Sequence, residues 1–326
     1  MTNGKFVISL DFELMWGVRD KRTINDYGKN ISGVHNVIPE LLKTFSKYQI
    51  SATFSTVGFL FFQNKEALIN SLPAEKPNYS DSNLSPYHNY LNQVGADAVN
   101  DPFHYAPSLI NEIIKYPEHE IGTHTFSHYY CLEDGQSVQE FTEDIKSAIK
   151  TANKYNLETT SLVFPRNQFN ENYLKACEKL GILCYRGNEY SWLYKAKNGE
   201  QESKLRRALR LLDAYINISG HNCYDKQFLK SNYPVNIPSS RFLRPYSKSL
   251  KFFENQRLNR ILTGMTHAAK NNLMYHIWWH PHNFGVNQQE NFLFLNKILE
   301  HYSKLQKTYN FQSITMSGLA KELIHE

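Results

Sequence analysis

Apolar residues recur along this chain in two alternating rhythms. Phe6-Val7-Ile8 followed by Leu10 is a short, nearly unbroken apolar run, as in a strand buried on both faces. Val34, Val37, Ile38, Leu41, Leu42 and Phe45 then repeat with the 3.6-residue period of an amphipathic helix. The exchange continues to the end of the chain. Predicted strands at 52–57, 119–123, 161–164, 182–185, 273–279 and 311–315 alternate with predicted helices at 108–116, 138–152, 173–180, 205–215, 258–271 and 291–305, and a short helix follows. Such alternation predicts a mainly parallel α/β sheet, open or closed. Two stretches break the rhythm. Residues 73–107, rich in Pro, Asn, Ser and Tyr, read as a flap beside a site, and residues near 218–250 read as a second loop insertion. No repeat, low-complexity tract or linker divides the chain, so residues 1–326 are expected to form a single domain.

Composition narrows the class. At 326 residues, 41% hydrophobic and 21% charged, the chain has room for one large α/β barrel with an ordinary globular core. Its net charge of +5 is scattered, without a basic block, which argues against nucleic acid as a partner. No apolar run reaches about 18 residues and the N-terminus has no apolar leader, so a cytoplasmic protein without a membrane span is expected. The four cysteines lack metal-ligand spacing and read as reduced thiols. An aromatic content of 14% mildly favours a glycan site, because aromatic faces stack on sugar rings as well as filling cores.

The candidate chemistry sits at strand ends. His124 and His128 are four residues apart, the spacing of one side of a helical turn. Asp11 and Glu13 end the first strand, and residues i and i+2 of a strand share a face. Two histidines plus one of these carboxylates make three ligands and leave a position open for water, the pattern of a catalytic metal site. A third stretch, His276-Ile277-Trp278-Trp279-His280-Pro281-His282, places His280 at a strand end with Pro281 stopping strand pairing behind it, and His282 close by as a rival.

Ser9-Leu10-Asp11-Phe12-Glu13, read with His119 through His128, resembles the first two motifs of the NodB-homology polysaccharide deacetylases. The second motif matches fully at His124 and His128. The first is similar to a D-x-E branch of the family, with Phe12 and Glu13 in place of a second aspartate and a glycine. The resemblance implies an irregular (β/α) barrel of about seven parallel strands. It implies a metal-dependent hydrolase that removes an N-acetyl or similar acyl group from an amino sugar in a glycan or glycan precursor, the carrier (nucleotide or lipid) left open. Asp11 would act as base. Glu13, His124 and His128 would hold a divalent metal, zinc by preference, with iron, cobalt, nickel or manganese also admitted by a mixed nitrogen and oxygen set. Asp11 remains the rival of Glu13 as ligand. His280 would be the general acid, and His282 its rival or a substrate contact. Arg166, in an inverted Pro165-Arg166 version of the third motif, would orient the base or bind substrate, and Trp279 would stack on a pyranose. The acid of the fourth motif has no clear position, Asp213 and Asp225 being candidates. Two other readings stand beside this one: a deformylase or other amidohydrolase acting on a small amide, and a sugar-binding module of the same fold without catalysis.

Overall fold

The structure is a computed structural model that describes residues 1–194, 204–230 and 232–325. Its strands are β1 (Lys5–Phe12), β2 (Ala52–Thr56), β3 (Glu120–Thr123), β4 (Ser161–Leu162), β5 (Cys184–Tyr185), β6 (Val235–Asn236), β7 (Arg241–Phe242), β8 (Met274–Trp279) and β9 (Gln312–Ser313). They follow the order β6-β5-β4-β3-β2-β1-β8-β7, with β9 pairing to the start of β1. Every pairing is parallel. Every residue of β1 is buried, as its apolar run requires of a strand covered on both faces.

The two edges of the sheet, β6 and β7, are consecutive in the chain. Ile237 N–H donates to Tyr185 O at 2.9 Å and Ser239 N–H to Gly187 O at 2.9 Å, while Ser240 N–H donates to His276 O at 2.7 Å. One segment thus pairs with β5 at its start and with β8 at its end, and the sheet curls round into an irregular barrel. Pro238 lies between the two strands and has no N–H to give to the ladder. The expected parallel barrel of about seven strands is therefore present, with eight along the path because this wall is split in two. The same strands correct the reading of 218–250 as loop. Two-residue strands are too short to show a period.

The longer helices are α1 (Ile24–Tyr48), α2 (Pro107–Ile114), α3 (Val138–Asn153), α4 (Glu171–Lys179), α5 (Lys204–Asp213), α6 (Glu254–Lys270), α7 (Gln288–Tyr309) and α8 (Met316–His325). α1 begins ten residues before its apolar period becomes legible. Thr23 Oγ1 accepts the Asp26 N–H at 3.3 Å and Asp26 Oδ1 accepts the Thr23 N–H at 3.1 Å, a reciprocal cap that starts the helix. Within it, a Cβ on Gly33 would lie 2.1 Å from Gly285 O, so a glycine is what lets α1 touch the turn behind His282. Residues 73–107 are pinned rather than loose. Ser80 N–H donates to Asp134 O at 2.9 Å, Asp101 holds His104 Nδ1 at 2.7 Å, and Trp16 Nε1–H donates to His104 O at 2.8 Å.

Candidate active site

Glu13 leaves the end of β1 and caps a 3-10 turn, Leu14–Gly17. Its carboxylate lies against the bare Cα of Gly17, where a Cβ would come within 1.9 Å of the Glu13 Cδ. Glu13 Oε2 stands 3.2 Å from His124 Nε2 and 3.0 Å from His128 Nε2. The three donors lie within 4.8 Å of one another, and all three residues are buried. His124 Nδ1–H donates to Val163 O at 2.7 Å, which turns the Nε2 lone pair toward the cluster. His128 Nδ1 contacts the Tyr130 hydroxyl at 3.1 Å. Burial alone would raise the Glu13 pKa, but His280, His124 and His128 hold it well below the usual carboxylate range. Three converging donors, two of them imidazoles with one ring nitrogen engaged elsewhere, fit a divalent cation with a position left open.

The two histidines do not share a helical turn, contrary to the spacing argument. Residues 124–130 form an irregular loop, and Thr125 and His128 take left-handed backbone angles, φ 63° and 61°. Asp144, reaching from α3, organises the loop. It accepts the Phe126 N–H at 2.6 Å and the Ser127 N–H at 3.1 Å, and it also accepts the Ser127 hydroxyl.

Asp11 points into the same space. Arg186, just past β5, grips it bidentately, Nη1 to Oδ1 at 2.6 Å and Nη2 to Oδ2 at 2.7 Å. The guanidinium also donates to Ser9 Oγ at 3.1 Å and Asn167 Oδ1 at 3.1 Å, and lies 4.0 Å from the Trp278 ring centroid. Burial would raise Asp11, but this guanidinium outweighs it and keeps the carboxyl below its ordinary value. His280 Nε2 stands 3.7 Å from Asp11 Oδ2 and 3.5 Å from Glu13 Oε1, and its side chain remains 24% exposed. His282 stacks on it with ring centroids 4.9 Å apart. Burial pushes His282 down to about 3, and its Nδ1 faces Glu13 Oε1 at 3.9 Å.

Several sequence expectations need correction. Arg166 does not reach Asp11. It pairs with Asp20 and, at 3.0 Å, with Glu133, and its guanidinium covers the Tyr130 ring at 4.1 Å. Left-handed angles at Arg166 and Asn167, φ 55° and 51°, turn the chain so that Asn167 rather than Arg166 faces Arg186. Trp279 cannot meet a sugar. It is fully buried against Phe45 and Phe284, while its neighbour Trp278 lies beside Arg186 and His280. Neither proposed tuning acid approaches His280. Asp213 binds Arg241 at 2.6 Å, and Asp225 caps a short helix through the Phe228 N–H.

The polysaccharide deacetylase family model matches residues 23–185, half of the chain. This chain is a member of that family. The matched stretch contains His124, His128 and Arg166. Asp11 and Glu13 precede it, and Arg186 is the residue immediately after it. Among solved structures, this deacetylase-family chain is similar to a protein from Mycobacterium smegmatis described as a polysaccharide deacetylase, with TM-score 0.62, 11% identity and coverage of 100% of this chain and 92% of that one. A counterpart from Pseudomonas aeruginosa PAO1 gives 0.57 at 10% identity, covering 99% and 91%. An allantoinase gives 0.55 at 11% identity, covering 97% and 89%. At such identities the likeness is one of fold. No curated protein matches the sequence.

Proposed function

We propose that this chain hydrolyses the acyl–nitrogen bond of an N-acetylated or similarly acylated amino sugar. The observation that supports this most is one convergence: a Glu13–His124–His128 donor set, a carboxylate fixed by arginine, and a reachable histidine beside both. A divalent cation, zinc first among those that suit mixed nitrogen and oxygen ligands, would supply Lewis acidity to the acyl oxygen and to water. Asp11 accepts the proton of the attacking water. Arg186 holds both of its oxygens, so its orientation is set before substrate arrives. His280, as imidazolium, donates a proton to the departing amine nitrogen. Each proton-transfer group is typically worth about 10²–10⁴-fold in rate. Trp278, on the same face of β8 as His280, borders the substrate space between Arg186 and Phe242.

The test is acyl release from N-acetylated and N-formylated sugars, free and carrier-linked, with metal content measured alongside. Asp11→Asn should lower kcat by about 10²–10⁴-fold and retain the metal. His124→Ala should lose the metal. His280→Ala should slow an acetamide more than an aryl acetate, because an amine needs protonation to leave and a phenolate does not. Metal-loaded protein that binds these sugars yet releases neither acetate nor formate would turn the reading toward a non-catalytic sugar-binding module.

A further inference from the structure

α5 is built inside out. Its charged residues Arg206 and Asp213 are buried, whereas Leu205, Leu211 and Leu212 are 71%, 38% and 47% exposed. The buried charges have clear partners. Arg206 Nε donates to Leu193 O at 3.0 Å, and Asp213 is bound by Arg241 at 2.6 Å and by the Tyr194 hydroxyl at 2.7 Å. The leucines have no such account. Leu205 and Leu212 are seven residues apart on one face, and Ile216 continues the apolar surface in the turn beyond. The segment Lys248–Phe253 lies alongside, with Phe252 at 78% exposure and Phe253 at 50%. The Tyr215 and Phe253 rings are 6.1 Å apart, which joins the two apolar surfaces into one.

Charge is concentrated in the same place. Residues 204–219 and 241–253 carry eight Lys and Arg against a single acid, Asp213, in a chain whose net charge is only +5. That acid is buried, and Glu254, which follows the second segment, is paired with Arg257 at 2.5 Å, so the patch presents Arg207, Lys248 and Lys251 to solvent.

We propose that this patch docks on an anionic lipid surface. Phe252, Phe253 and the α5 leucines enter the boundary between headgroups and acyl chains, and Arg207, Lys248 and Lys251 lie against the lipid phosphates. A nucleic acid would satisfy the cations and leave the leucines in water. An apolar protein groove would satisfy the leucines and give no reason for the exposed Arg207, Lys248 and Lys251 beside them. A lipid interface matches both features. It also agrees with the fact that, among the described residues, no helix is long and apolar enough to cross a membrane.

Two segments link the patch to the site. Phe242 of β7 packs on Trp278 at 4.7 Å and lies 6.0 Å from His280, and the chain runs on from β7 directly into Lys248–Phe253. From the other side, Arg206 of α5 donates to Trp192 O at 2.9 Å. Trp192 and Asn188 help line a cleft of about 560 Å³ that opens next to Arg186 along the chain. A membrane-docked molecule would therefore hold its site near substrates displayed at the lipid surface.

The experiment is co-sedimentation of the full, metal-loaded chain with vesicles of phosphatidylglycerol and phosphatidylcholine, and with vesicles of phosphatidylcholine alone. It reads vesicle binding and stands apart from whether any sugar is hydrolysed. Binding to the anionic vesicles, weakened by high salt, is expected. The double variant Phe252→Asp/Phe253→Asp should lower partitioning about tenfold or more while thermal unfolding and metal content stay unchanged. Lys251→Glu, at an exposed position, should weaken binding without any risk to the core. Equal binding to neutral vesicles, or binding to neither, overturns the proposal. So does a dimer that the phenylalanine variant disrupts while vesicles are ignored, which would assign the patch to a second copy of the chain.

Discussion

Two walls of this barrel hold their site residues by different means. In the wall of β1, β2, β3 and β8 the strands run from four to eight residues, and β1 is laddered to β2 over five positions and to β8 over six. Glu13, His124 and His280 each follow the end of one of these strands, aimed by backbone pairing. In the wall of β4 to β7 every strand is two residues long. There a side chain replaces the ladder: Arg186 reaches from the end of β5 to Ser9, Asp11 and Asn167 beneath the Trp278 ring. Long ladders set where a side chain begins. Where the ladder is short, charge-assisted bonds with fixed geometry supply the missing definition.

The largest break in that comparison is Arg186→Leu. It leaves the Asp11 carboxylate buried without its partner, a change that costs roughly 3–5 kcal/mol in comparable buried pairs. Turnover should fall by about 10²–10⁴-fold, because the proposed base loses its orientation. Adding Asp11→Asn to the same chain removes the stranded charge. Stability should then largely return while activity does not. Unchanged melting and unchanged turnover in the single variant would mean that the short-stranded wall needs no such tie.

The same contrast explains what the sequence reveals. Asp11 and Glu13 close an apolar run long enough to read as a strand, so their place is readable, whereas His124 and His128 are marked by their own spacing after the short segment Glu120-Ile121-Gly122-Thr123. Arg186 follows a strand of two residues, and its only signal is a lone charge directly after Ile182-Leu183-Cys184-Tyr185. Arg166 attracts notice through its proline neighbour, but two left-handed residues that no local pattern announces turn it outward. The tryptophans are a matter of parity. Successive strand residues face opposite sides, so a choice of His280 for the site selects Trp278 and sends Trp279 into the core. The strands within 218–250 are hidden because two residues are too few for any period.

A subtler break acts on the long-stranded wall through Gly17. A methyl group there would collide with the Glu13 carboxylate while leaving every proposed ligand chemically intact. Gly17→Ala should weaken metal affinity by about 10–100-fold, as the loss of a supporting contact does at other metal sites. Calorimetric titration of the metal-free chain measures this. An unaltered affinity would show that Glu13 is aimed by β1 alone.

The smallest expected effect asks whether the two walls respond alike to acid. His276 on β8 bridges them, with Nε2 2.8 Å from Ser9 Oγ and Nδ1 3.2 Å from Ile237 O. Burial, with the Arg186 charge behind it, pushes its pKa from the ordinary 6.5 down to about 3. His119, whose Nδ1 accepts the Ala52 N–H at 3.2 Å beside β2, is pushed by burial to about 4. The unfolded chain protonates both near pH 6.5, while the folded chain keeps both neutral well below that. The unfolded state then binds more protons, so stability falls as pH drops through this window, by up to about 1.4 kcal/mol per pH unit for each histidine. Carboxylates held below their ordinary pKa add a slope of the same sign at lower pH, so the readout is the difference between wild type and variant. Denaturant unfolding at several pH values between about 6.5 and 4.5 should show His276→Gln and His119→Gln each flattening the slope by close to one proton. If only His119→Gln does so, His276 accepts a proton in the folded state, and the closing wall is more open to solvent than its packing shows.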